Sequence, residues 1–184
     1  MADSWSSIRK RLEKDLLCES LRGRVQYFRT NYHGAPDEYG RFAIRVDGEE
    51  WFQANPYNEN NYTKIAWQIE VERDIPSREW TGKEYLHDEE NRAAEEEARS
   101  ISVSQGIVDS YEVPWVIKRY LNQDIKASLA DEDPVCRMFA ILDRRVGKRT
   151  LEKLAARIAD QPEWLQKFYR LRFEAEGIES SSLK

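Results

Sequence analysis

The chain has 184 residues, of which 40% are hydrophobic, 34% charged and 11% aromatic, with 8 Gly and 6 Pro. That length suits one compact domain or two small lobes sharing a core, and the composition excludes a large multidomain enzyme, a collagen-like repeat and a Gly/Ser-rich or disordered chain. With 29 Lys and Arg against 34 Asp and Glu the formal charge is -5, so the molecule as a whole does not attract nucleic acid or anionic membrane, while a local basic face remains open.

From Ser4 to Cys18, Trp5, Ile8, Leu12 and Leu16 recur at i, i+3 and i+4 between charged residues, which predicts an amphipathic helix. Leu21-Arg22-Gly23 ends it, and Arg24 to Tyr32, where β-branched and aromatic residues alternate with polar ones, reads as a strand. The turn-rich cluster His33 to Gly40 leads into a second strand carrying Phe42, Ile44 and Val46. Asp47-Gly48 suits a two-residue type I′ turn, which needs positive φ at both positions. A third strand therefore follows, with Val46 expected opposite Glu49, Arg45 opposite Glu50, Ile44 opposite Trp51 and Ala43 opposite Phe52. This is a three-stranded antiparallel meander ending near Ala54-Asn55-Pro56.

Beyond Pro56 the pattern turns helical. A helix is expected from Asn58 to Arg73, then a loop around Ser77 to Gly82, a long, mostly solvated helix from Tyr85 to Ser104, and a short buried one from Val113 to Leu121. Ile125 to Leu129 forms another short helix. Asp133-Pro134 places an N-cap before a Pro at the first helical position, opening a helix to Val146 with Gly147 at its C-terminal left-handed position. Thr150 caps the next helix, which turns Leu151, Leu154, Ala155 and Ile158 inward. Pro162 opens the last, which stops at Gly177 and leaves residues 178 to 184 as a flexible tail. The expected class is α+β: residues 1–56 as helix plus meander, and residues 57–177 as a region of five to six helices packed on it in one unit.

Cys18 and Cys136 each follow an apolar residue and read as buried free thiols; two cysteines are no disulfide framework, and an intracellular compartment follows. The N-terminus meets Arg9, Lys10 and Arg11 without an apolar leader core, and no stretch approaches the roughly 18 apolar residues of a membrane span. The expectation is a cytoplasmic protein with no membrane partner.

The sequence is poor in catalytic signals. Histidine is limited to His33, in a turn, and His87, at the start of an acidic helix. No CxxC, HExxH, EF-hand loop or glycine-rich phosphate loop occurs, so neither a metal nor a cofactor is expected and the catalytic residues are unknown. Asp47 and Glu49 suggest the clustered acids of a nuclease metal site, but no suitably spaced lysine follows and the turn already explains Asp47. A hydrolase using His33 or Cys18 is a third possibility. Asp88 to Glu90 and Glu95 to Glu97 form an acidic run that reads either as a solvated helix face or as a docking surface for a basic partner.

The distinctive constellation is Leu142-Asp143-Arg144-Arg145-Val146-Gly147-Lys148-Arg149-Thr150. Between positions 137 and 157 seven basic residues face two acids. Four cations there, Arg144, Arg145, Lys148 and Arg149, crowd a helix corner whose second helix opens with free N–H groups, an arrangement that favours anions. A purely structural role, with the arginines serving the helix end and Asp143 pairing with them, is the competing reading. Aromatics concentrate on the expected sheet, with Trp51 on one face and Phe52 on the other, so Trp51, Phe52 and Tyr27 are the expected partner surface.

Trp5-Ser6, Leu17-Cys18-Glu19-Ser20-Leu21-Arg22-Gly23-Arg24-Val25, Thr30-Asn31-Tyr32, Gly40-Arg41, Val46-Asp47-Gly48 and the run from Leu142 to Arg149, followed by Tyr169, Leu171 and Arg172, resemble a family of small uncharacterised bacterial proteins. The resemblance implies a bacterial cytoplasmic setting and one folded unit. It brings no activity, cofactor or catalytic residue. The functional expectation is a non-enzymatic binding protein whose partner is another protein or an anionic ligand; the alternative is a nucleic-acid-binding or phosphate-processing protein using the same corner.

Overall fold

A computed structural model describes residues 4–30, 40–76, 78, 80–84 and 88–178. Residues 33–39 of the expected His33 to Gly40 turn, and His87, lie outside them.

The first helix begins as expected at Trp5, capped by the Ser4 side chain, and runs as α1 to Lys10. It then widens into a π-helical stretch over Arg11–Leu16, with the Leu17 N–H donating five residues back to the Leu12 carbonyl. Strands β1 (Val25–Arg29), β2 (Phe42–Val46) and β3 (Glu49–Ala54) follow in the order β1-β2-β3, all antiparallel. Asp47 and Gly48 both take positive φ at the β2–β3 turn, the conformation a type I′ hairpin requires.

The expected register holds only for the first two pairs. Val46 faces Glu49 and Arg45 faces Glu50, but Ile44 then faces Phe52 and Ala43 faces Gln53, with the irregularity between Ile44 and Arg45. Trp51 is the extra residue of a β-bulge. Because side chains alternate faces, one inserted residue moves Phe52 and Ala54 onto the face of Phe42 and Ile44. The sheet thus has one core face, formed by Val25, Tyr27, Phe42, Ile44, Val46, Phe52 and Ala54. On the other face Arg41 and Arg45 clasp Glu50 at 2.5 and 2.9 Å, and the Arg45 guanidinium lies over Phe28.

Seven α-helices follow among the described residues: α2 (Glu59–Glu72), α3 (Glu89–Ser104), α4 (Val113–Asn122), α5 (Ile125–Leu129), α6 (Pro134–Ile141), α7 (Lys148–Ala155) and α8 (Glu163–Ala175). Asp133 caps α6 ahead of Pro134 as the sequence implies. The expected continuation to Val146 does not occur, since α6 stops at Ile141 and the chain turns through Leu142 to Val146. Gly147 is not a left-handed C-terminal residue either: it is extended, caps α7, and puts Thr150 inside that helix. At the end of α8, Gly177 takes positive φ and Ile178 donates back to the Phe173 carbonyl, closing a Schellman turn that packs Ile178 on the core. Ile178 is therefore no part of a flexible tail, and residues 179–184 lie outside the described residues.

Two hydrophobic clusters result. The larger joins α1, the sheet and α4 to α8, with Phe139 of α6 stacked between Tyr27 and Tyr120 at ring distances of 5.8 and 5.6 Å. The smaller lies between α2 and α3 and is built from Ala66, Ile69, Ala94 and Ala98. The helical region is thus divided: α4 to α8 share the core of the sheet, while α2 and α3 form a hairpin with a core of their own, and Val103 near the end of α3 joins the larger cluster. Asp109, buried and with no cation partner among the described residues, fastens that hairpin at its base by accepting from the N–H groups of Glu59 and Tyr111 at 3.0 and 2.8 Å. Its own N–H donates to the Tyr62 hydroxyl at 2.8 Å.

Candidate functional site

The corner between α6 and α7 is built on a buried carboxylate. Asp143 accepts from the Tyr120 hydroxyl, from the Arg145 backbone N–H at 2.7 Å, and from the Arg145 guanidinium, with Nη2 at 2.6 Å. Burial and the Asp143 charge push the Tyr120 hydroxyl far above its ordinary pKa, and hydrogen bonding to Asp143 raises Arg145. The backbone is fixed from the other side by the N-terminal segment. Cys18 N–H donates to the Leu142 carbonyl and Arg144 N–H to the Leu16 carbonyl, at 2.9 and 2.7 Å, a bridge between Leu17 and Asp143. Arg172 of α8, 3% exposed, donates to the carbonyls of Leu142, Asp143 and Val146. The carbonyls of the turn that follows α6 therefore meet a buried guanidinium rather than water.

The four expected anion-binding residues divide. Arg145 is committed to Asp143 and positions the corner. Arg144, Lys148 and Arg149 are exposed, with no acidic partner among the described residues. Gly147 offers α7 no side-chain acceptor, so nothing on the cap competes for the positive end of that helix. Two motif regions far apart in sequence thus form one structural knot, and it presents three free cations on a fixed backbone.

The expected aromatic partner surface is corrected. Tyr27 and Phe52 are 2% and 5% exposed and belong to the core, because the bulge turns Phe52 inward. Trp51 is half-buried against Phe168 at 5.8 Å, and its carbonyl accepts from Lys167, whose ammonium blunts this sheet edge. The large exposed hydrophobics lie elsewhere, with Trp67 and Val71 on α2 and Trp115 on α4. The signal for the α2 pair was its i, i+4 spacing opposite Ile65, Ala66 and Ile69. For Arg172 it was a charged residue set between Leu171 and Phe173.

Other candidates settle into structural roles. Asp47 is held by Arg24 at 2.7 Å, whose hydrogen bond lowers its pKa. Cys18 and Cys136 are both buried free thiols, and burial pushes Cys136 up to about 12, which keeps it protonated at neutral pH. In the acidic run, Glu95 pairs with Arg78 and Glu97 with Arg73, at 2.7 and 2.8 Å. An open groove of about 1190 Å³ runs between α3 and the segment from Ala130 to Pro134. Closed ion pairs line it, Arg119 reaching Asp131 and Asp133 at 3.0 and 3.1 Å. Among the described residues no three His, Cys, Asp or Glu side chains gather as metal ligands, and no helix is long and apolar enough to cross a membrane.

A sequence model of the SF0329 protein family matches residues 4–173, from the cap of α1 through Arg172 and into the last turns of α8. The chain belongs to that family. The match takes in the knot, the sheet and the α2–α3 hairpin, so all three are parts of the SF0329 unit. Neither a curated protein nor a solved structure matches the chain.

Proposed function

We propose that this chain is a non-enzymatic binding protein that takes an anionic group of its partner at Arg144, Lys148 and Arg149. The observation that carries the reading is their exposure without an acidic partner among the described residues, on a backbone that Asp143, Arg145 and Arg172 hold in place. A cation that must first leave an internal ion pair binds weakly; these three need not. The fixed backbone of the corner also has little main-chain freedom left to lose on binding. A bacterial cytoplasmic setting belongs to the same proposal, and two buried free thiols agree with a reducing compartment.

The test is fluorescence anisotropy with a labelled 20-residue polyglutamate and a labelled single-stranded 20-nucleotide DNA. Polyglutamate should bind at low salt, and the variant R144S/K148S/R149S should lose at least tenfold in affinity. Wild-type protein that binds neither probe at low salt, or a triple variant that binds as well as wild type, overturns the proposal. DNA binding much tighter than polyglutamate, falling about 20-fold between 50 and 200 mM salt as three phosphate contacts require, would assign the corner to nucleic acid.

A further inference from the structure

The net charge of -5 conceals a division. Between positions 57 and 105, the α2–α3 hairpin and its connection, twelve acids stand against six basic residues, so that segment carries six net negative charges and the rest of the chain one net positive charge. Within the hairpin Arg78 pairs with both Glu70 and Glu95, and Arg73 with Glu97. Glu89, Glu90 and Glu96 are exposed without a basic partner among the described residues.

Among the described residues, hydrogen bonds and ion pairs tie the hairpin to the body at its base. There Asn58 and Tyr62 meet the Val108–Asp109 backbone, Arg99 meets Glu112 at 2.6 Å, and the Trp164 indole donates to the Val103 carbonyl at 2.9 Å. At 1.5 Å rise per residue, Glu89 and Glu90 lie about 15 Å along α3 beyond Arg99. The hairpin also exposes Trp67 and Val71, one helical turn apart on α2, at 61% and 55%. Exposed tryptophan on an otherwise charged element is characteristic of the centre of an interface.

Resting on the proposed function above, we infer that the anionic partner of the corner is the acidic α2–α3 hairpin of a second copy of this chain, two copies exchanging hairpins across a two-fold axis. Exposed acids of the hairpin, Glu89, Glu90 and Glu96 among them, meet the exposed cations of the corner, opposite in sign. Both elements are carried by one chain, so every pair of copies offers the contact twice, and a two-fold arrangement closes it without growing a filament. The like net charges oppose this little, because charges farther apart than the Debye length of roughly 8 Å at physiological salt are largely screened while the contacting pairs are not. Trp67 and Val71 supply the apolar part of the contact.

Sedimentation equilibrium of the full chain at 50 and 500 mM salt tests the inference. The expected result is a dimer that weakens at least tenfold at high salt. The corner reversal R144E/K148E/R149E and the hairpin reversal E89K/E90K/E96K should each be monomeric with unchanged circular dichroism, and their equimolar mixture should dimerise, because reversing both sides restores both contacts. Should either reversal fail to fold, the neutral R144S/K148S/R149S and E89Q/E90Q/E96Q replace them, each expected to weaken the dimer at least tenfold. W67A should weaken it as well. A wild-type monomer at 100 µM and 50 mM salt, a dimer indifferent to both reversals, or a mixture that stays monomeric overturns the inference. A monomer that still binds polyglutamate through the corner sinks the exchange alone; failure of both sinks the binding function too.

Discussion

Removing the cation should harm this fold more than removing the anion. In the Asp143–Arg145 pair the carboxylate is fully buried, whereas the Arg145 side chain keeps 38% of its exposure. In D143A the stranded guanidinium can turn to water. The loss is then its charge-assisted hydrogen bonds, about 1.5–3 kcal/mol, plus a buried Tyr120 hydroxyl without its acceptor, about 1 kcal/mol or more. A total near 3 kcal/mol is expected. In R145A a carboxylate stays buried with the Tyr120 hydroxyl and a backbone N–H but no cation, the situation that typically costs about 3–5 kcal/mol. The double variant D143A/R145A strands no charge, so it should be no less stable than R145A, and the two single losses should exceed the double loss by about 2 kcal/mol or more. Urea unfolding of the four proteins, followed by tryptophan fluorescence at constant m-value, measures each term; melting temperatures should fall about 2–4 °C per kcal/mol for a chain this long. Additive losses, or an R145A cost below about 1 kcal/mol, would show that the pair does not hold the corner.

Arg41 and then Arg45 hold Glu50 down at about 2 by hydrogen bonding. Its folded pKa lies below the unfolded value of about 4.3, so its stabilisation is present above pH ~4.3 and is lost as the pH falls towards 2. The stability gap between wild type and E50Q should shrink across that window in acid melts; a gap that does not vary with pH would refute the assignment. Gly106 has φ +81° and an added Cβ would lie 3.1 Å from Trp164, whereas Gly48 has φ +91° with open space around it. G106A should therefore lose more stability than G48A in thermal melts, and it alone should shift the tryptophan emission. Because Asp109 caps α2 from a distance, D109A should cost about 2 kcal/mol, with hydrogen exchange faster in α2 and α3 while the amides of β2 stay protected.

Local signals carried much of this fold. Asp47-Gly48 marks the hairpin because positive φ at both positions is a property of two residues and their turn, and Asp133-Pro134 marks the start of α6 because an N-cap and a pre-set φ act within one helical turn. The alternation of Phe42, Ile44 and Val46 likewise shows its buried face without reference to the rest of the chain. The bulge at Trp51 was not legible. Nothing in Glu49-Glu50-Trp51-Phe52 favours a slipped register by itself; the energy of seating Phe52 among Phe42 and Trp164 decides it, and those contacts come from other parts of the chain.

The composition by itself determined a folded, highly charged chain with little net charge, and the pattern determined its elements. Only the tertiary structure decided which charges were spoken for. Arg144 and Arg145 are neighbours of one kind in sequence, but the buried Asp143 takes one and leaves the other in water, and Arg172 reaches the same corner from 29 residues away. The physical reason is one of range. Propensity, capping and turn chemistry act over a few residues and can be read along the chain, while the desolvation of a charge and the choice of its partner depend on everything packed around it.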